Sequence, residues 1–171
     1  MTLAIDPARI RAALAEKPNG ILEFIAREQN VPLRAVLAEL PEGEAKAIAG
    51  EKFDAVWEDL TSWGDVLFLV HTKDVVAEIT GSLPAGTHGH GYFNIHGDSP
   101  IGGHIKASNC AEIVLLDRTP PGGRRSCSVQ FFNQDGEAMF KVFVGRDKER
   151  NLLPDQLAKF EALKTRDLAA G

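Results

Sequence analysis

The sequence predicts an α+β fold, with a large antiparallel β-sheet flanked by N-terminal helices and a C-terminal helix. Two observations predict it. Apolar residues recur at helical spacing from Asp6 to Ser62, alternate with a period of two from Asp65 to Val144, and return to helical spacing from Leu153. The hairpin signal Gln134-Asp-Gly136 sits between two of the alternating runs.

The elements follow in order. Asp6-Pro7 supplies an N-cap and a proline at the first helical position, and Ile10, Ala13 and Leu14 continue that helix until Pro18-Asn19-Gly20 stops it. Ile21, Leu22, Ile25 and Ala26 mark a second short helix. Leu33, Val36, Leu37 and Leu40 mark a third, and Pro41-Glu-Gly43 reads as the nearest thing to a linker. A fourth helix is expected from Glu51 to Ser62 on the stripe Phe53, Val56, Trp57 and Leu60, with Gly64 ending it. Val66 to Val70 and Val75 to Thr80 form a hairpin around Thr72-Lys-Asp74. Further strands are expected at Gly91–Gly97, His104–Ala107, Glu112–Asp117, Ser126–Asn133 and Glu137–Val144, about seven in all. A closing helix presents Leu153, Leu157, Phe160 and Leu163 to the core. One domain over 1–171 is expected, with a helical part over 1–63, a sheet over 65–145 and a helix over 152–169.

A net charge of −5 argues against a general nucleic-acid binder, whose affinity comes from neutralising phosphates. The segment Ile25 to Leu37 has the look of a helix-turn-helix. Residues 21–40, however, set Arg27 and Arg34 against Glu23, Glu28 and Glu39, which leaves no positive surplus. Helical packing on the sheet is the better reading. Two cysteines are too few for a disulfide framework or a four-thiolate zinc site, and Cys127 alternates with core residues Val129 and Phe131. The first residues carry no basic and apolar leader, and no apolar run approaches the ~20 residues of a membrane span. A cytoplasmic protein is expected.

All five histidines lie between positions 71 and 104. Imidazole is a metal ligand that titrates near neutral pH, so this crowding points at a site. His88-Gly-His90 has the spacing of a two-ligand chelate if extended, and a zinc would take further ligands from His71, His96, His104, Glu78 or Asp98. Alternatively, His71 ends an apolar strand on the face of Leu67 and Leu69, and His104 opens another behind Gly102 and Gly103. Two histidines edging an apolar surface suit a flat macrocycle needing axial nitrogen donors, with Lys106, Arg124, Arg125 and Arg146 to meet carboxylates at its rim. No catalytic triad or phosphate loop has supporting context.

The runs Lys52-Phe-Asp-Ala-Val-Trp57, Trp63-Gly64, Leu69-Val-His-Thr72, His88-x-His-Gly-Tyr-Phe-Asn94, Gly103-His-Ile-Lys-Ala-x-Asn-Cys110, Phe131-Phe-Asn133 and Phe143-Val-Gly-Arg-Asp147 together resemble the ChuX/HutX family of intracellular haem-utilisation proteins. The likeness runs from about residue 10 to 165. It implies a cytosolic haem-binding protein, similar to one half of the longer HemS/ChuS-type proteins and forming homodimers. Such a protein buffers imported haem and hands it to a haem-degrading enzyme. Two histidines associated with haem in the family fall on His71 and His104 as axial ligand candidates, with Tyr92 or His88 and His90 as the other choices. A haem-degrading enzyme and a zinc-binding protein of the same fold are the competing readings.

Overall fold

A computed structural model describes residues 4–168. Its centre is a six-stranded, wholly antiparallel sheet built from β1 (Ala45–Ala49), β2 (Val66–His71), β3 (Val76–Gly81), β7 (Cys110–Arg118), β8 (Ser126–Asn133) and β9 (Ala138–Phe143), in the order β1-β7-β8-β9-β2-β3. A second sheet of three strands, β4 (Gly86–Gly89), β5 (Tyr92–Ile95) and β6 (Gly103–Ile105), is ordered β4-β5-β6.

Strand alternation divides the large sheet into two faces. Val66, Ile113, Leu115, Cys127, Val129, Phe131, Phe140 and Val142 point one way into the main core. That core is closed by α4 (Phe53–Thr61), α5 (Pro154–Thr165) and the small sheet, through Phe53, Trp57, Phe160, Leu163, Phe93 and Ile95. The aromatic rings interlock: Phe131 stacks on Phe140 at 4.3 Å between centroids, and Phe53 meets Phe93 edge-on at 5.2 Å. Each such buried side chain contributes about 2 kcal/mol of burial free energy. Trp57 also donates its indole N–H to the Pro84 carbonyl at 2.9 Å, which ties α4 to the segment entering the small sheet.

The opposite face is covered only in part. α1 (Pro7–Glu16), α2 (Leu22–Gln29) and α3 (Leu33–Ala38) bury Ile10, Ile25, Leu33, Val36 and Leu37 against Val114, Leu116 and Phe132. The helix-turn-helix likeness is therefore a packing layer, with the apolar sides of both helices turned to the sheet.

The expected hairpins form with the expected turns. Thr72 Oγ1 accepts from the Asp74 and Val75 amides, and Asn133 Oδ1 accepts from those of Asp135 and Glu137. Two expectations need correction. The region before residue 63 is not all helical: Ala45–Ala49 is an edge strand against β7, so Pro41-Glu-Gly43 is a turn into the sheet rather than a linker. The strands number nine among the described residues, because Gly86–Gly89 pairs with β5. Each missed strand has a single β-branched residue, Ile48 or Thr87, among alanines or glycines, so its local signal for extended structure is weak and pairing with a strong neighbour decides it.

Candidate functional site

The five histidines do not gather at one point. β4 and β5 are joined by a two-residue turn, His90-Gly91, in which both residues take positive φ (54° and 80°). His90 thus leaves the strand at the turn, and the proposed His88–His90 chelate does not form. His88 turns instead to α4, where its Nε2 lies 2.8 and 2.9 Å from the two Asp54 carboxylate oxygens. Among the described residues no group of three or more His, Cys, Asp or Glu side chains is placed to hold a metal ion. The zinc reading therefore loses its ligand set.

His71 occupies the last position of β2 and faces the partly covered side of the large sheet, as its alternation with Leu67 and Leu69 requires. Its side chain is 13% exposed, and its Nδ1 lies 3.5 Å from a Glu23 carboxylate oxygen, an electrostatic contact too long for a good hydrogen bond. Lys141, one of four buried polar or charged residues among the described ones, sits on that same Glu23 oxygen. Burial pulls the Lys141 ammonium down to about 8, and contact with the carboxylate keeps it charged at neutral pH. With Glu23 so compensated, burial and then the Arg27 guanidinium hold the His71 imidazole below its ordinary value. The ring is neutral at pH 7 and keeps a lone pair for a ligand. Around it opens a cleft of about 390 Å³, walled by Ala26, Val31, Leu33 and Ala138, with Arg27, Lys73 and Lys141 as its cations and Glu23 and Glu137 as its anions.

His104 lies elsewhere. It is exposed on β6, next to Gly103, where an added methyl group would meet nothing within 4 Å. Its Nδ1 is 2.6 Å from Asn94 Oδ1, and the rings of His96 and Tyr92 stand 5.5 and 6.1 Å away. The Lys106 ammonium rests over the Tyr92 ring at 4.9 Å. The small sheet carrying His104 belongs to the layer over the main core, whereas His71 opens on the other face. One chain does not bring the two histidines together.

The arginines expected at the rim are engaged away from both histidines. Arg125 is bound by Asp117 and Glu161, Arg146 donates to the Arg125 and Arg150 carbonyls, and Arg124 donates to those of Glu149 and Arg150. The cations that do border the histidines are Arg27, Lys73, Lys141 and Lys106. Of these only Lys106 was anticipated. Arg27 and Lys141 are remote in sequence: the seating of α2 on the sheet brings the first to His71, and the β2–β9 pairing, which sets Lys141 opposite Leu69, brings the second.

The fold and these surfaces define an α+β protein whose half-covered antiparallel sheet carries isolated histidine donors rather than a chelating cluster. The chain belongs to the haem utilisation ChuX/HutX family, whose sequence model matches residues 46–163. It is 30% identical over 157 residues to the intracellular heme transport protein HutX of Vibrio cholerae, covering 91% of this chain and 81% of that protein. It is similar in structure to a protein of Agrobacterium tumefaciens, with 52% identity, a TM-score of 0.83 and coverage of 92% and 89% of the two chains. It is also similar to the heme binding protein ChuX, with 42% identity, a TM-score of 0.81 and coverage of 91% and 96%. The fold extends to the heme-binding protein PhuS of Pseudomonas aeruginosa, with 18% identity and a TM-score of 0.71, where 95% of this chain spans 47% of that one. No helix among the described residues is long and apolar enough to cross a membrane.

Proposed function

We propose that this protein is a cytoplasmic haem carrier, which holds imported haem and passes it to a haem-degrading enzyme. The observation that carries the reading is the His71 cleft: a neutral imidazole and apolar walls, with Arg27 and Lys73 in the same opening and Lys141 paired to Glu23. Haem fits that chemistry. It asks for a nitrogen donor at the iron, apolar surface for the ring and positive charge for its two carboxylates. A volume of about 390 Å³ falls in the usual range of small-molecule sites, and the open side suits a protein that must release its cargo. Family membership and the intracellular heme transport role of HutX support a carrier over an enzyme. The relatives described as haem-degrading share 14% identity, a likeness of fold alone.

His104 is the second haem contact in this reading. Because it opens on the other side of the large sheet, a haem held by both histidines is held between two copies of the chain. A homodimer then supplies from two chains what the longer relatives, about twice this length, carry in one.

A titration of the purified protein with haem, followed by absorbance, tests the proposal beside a His71→Ala/His104→Ala double variant. Saturation near one haem per chain, with a shifted Soret band that the variant loses, is expected. Weak, unsaturable association by the native protein would overturn it.

A further inference from the structure

Asn94 lies at the centre of β5, between Thr87 of β4 and His104 of β6. Its carboxamide nitrogen faces three main-chain oxygens: Gly89 at 3.1 Å, and Thr87 and Tyr92 at 3.3 Å each. Carbonyl oxygens only accept, so the group facing them has to be the NH2. Turning the amide over would set its oxygen against all three and leave no donor among them. That fixes Oδ1 toward β6, where the His104 ring nitrogen Nδ1 meets it at 2.6 Å. An amide oxygen has no proton to give. The proton of that short bond therefore resides on His104 Nδ1, and in the neutral ring Nε2 carries the lone pair.

We propose that Asn94 is a positioning residue, which locks His104 in its Nδ1–H tautomer and holds Nε2 as the free donor for haem iron. The haem half of this statement rests on the carrier reading above; the tautomer half does not. The chain of constraint runs from the β4–β5 turn, through three carbonyls, to one side chain and then to the ring. The exposed surface of the small sheet is otherwise poor in fixed partners for His104, since Tyr92 and His96 touch it only with ring edges. An imidazole left to itself exchanges tautomers and rotates, and pays for both on binding iron. One preset by a hydrogen bond to its other nitrogen avoids that cost, and the bond also raises the basicity of Nε2. The same sheet register that sets Asn94 opposite His104 thus determines which nitrogen the protein offers.

The test begins with the uniformly 15N-labelled haem-free protein at pH 8, read by long-range proton–nitrogen correlation at the histidine rings. His104 is expected to show a protonated Nδ1 and a bare Nε2. Asn94→Ala is expected to release that preference. In haem titrations Asn94→Ala should then weaken binding about 10- to 100-fold, the range seen when the partner of a ligand histidine is removed. It should add little once His104 is already alanine. A native His104 protonated on Nε2 would overturn the inference whatever haem does. So would an Asn94→Ala protein that binds haem as the native one does while His104→Ala does not. A histidine in the expected tautomer whose removal leaves haem binding untouched would instead contradict the carrier reading at His104, with the tautomer assignment standing.

Discussion

His71 and His104 stand on opposite sides of the six-stranded sheet, the first under α2 beside Glu23, the second on the exposed surface of the small sheet beside Asn94. Packed sheets lie about 10 Å apart, so the main core separates them by more than any one haem iron can bridge. Under the carrier proposal, a haem held by both residues is held between two chains.

The first prediction concerns ligation. His71→Ala and His104→Ala should each shift the Soret band and weaken haem binding at least tenfold, about 1.4 kcal/mol. His88→Ala should do much less, because that ring is paired with Asp54 at the edge of a separate cleft. Negligible effects from the first two substitutions would remove both from the site.

The pH response of His71 follows from its surroundings. Burial and Arg27 hold its value below 6.5, so an NMR titration of the haem-free protein should give a midpoint under that value, and Arg27→Gln should raise it. The unfolded chain then takes up this proton first. The stability contributed is whole above about 6.5 and falls as pH drops through that value. A midpoint at or above the free imidazole value would show that the Glu23 carboxylate, not burial, governs the ring.

Much of this was legible in the sequence. The switch of period at Asp65 located the large sheet, and the paired turns at Thr72 and Asn133 fixed two of its hairpins. Alternation also put His71 on the face of Leu67 and Leu69, where the structure has it. What stayed hidden was long-range. Nothing local ties Glu23 and Arg27 on a short helix to His71, and the alanine-rich strand at Ala45–Ala49 is extended only because β7 lies beside it. Asn94 was visible within its motif as a β5 residue sharing the period of Tyr92 and His96. Its bond to His104 depends on the β5–β6 register, which local spacing does not encode.

The Lys141–Glu23 pair holds α2 to the sheet at the mouth of the His71 cleft. Lys141→Met strands a carboxylate that is 17% exposed and should cost about 3 kcal/mol in urea unfolding. The double variant Lys141→Met/Glu23→Gln should regain most of that, since neither charge is then left alone. Equal losses from the single and double variants would mean that packing, not charge, is what the lysine supplies.

Gly86 sets how closely the small sheet seats on the core. A methyl group there would come within 2.1 Å of the Phe93 ring, itself 5% exposed in the main core. Gly86→Ala should therefore destabilise by about 1–3 kcal/mol through overpacking, read as a lowered Tm. An unchanged Tm would mean that Phe93 has room to move.

A haem shared between two chains can be tested directly. Differently tagged His71→Ala and His104→Ala copies, coexpressed and purified as a mixed pair, leave one site with both histidines and one with neither. The mixed pair should bind half as much haem as the native dimer with the native Soret band, while each variant alone lacks that band. A mixed pair no better than its parents, or copies that never associate, would contradict the shared site.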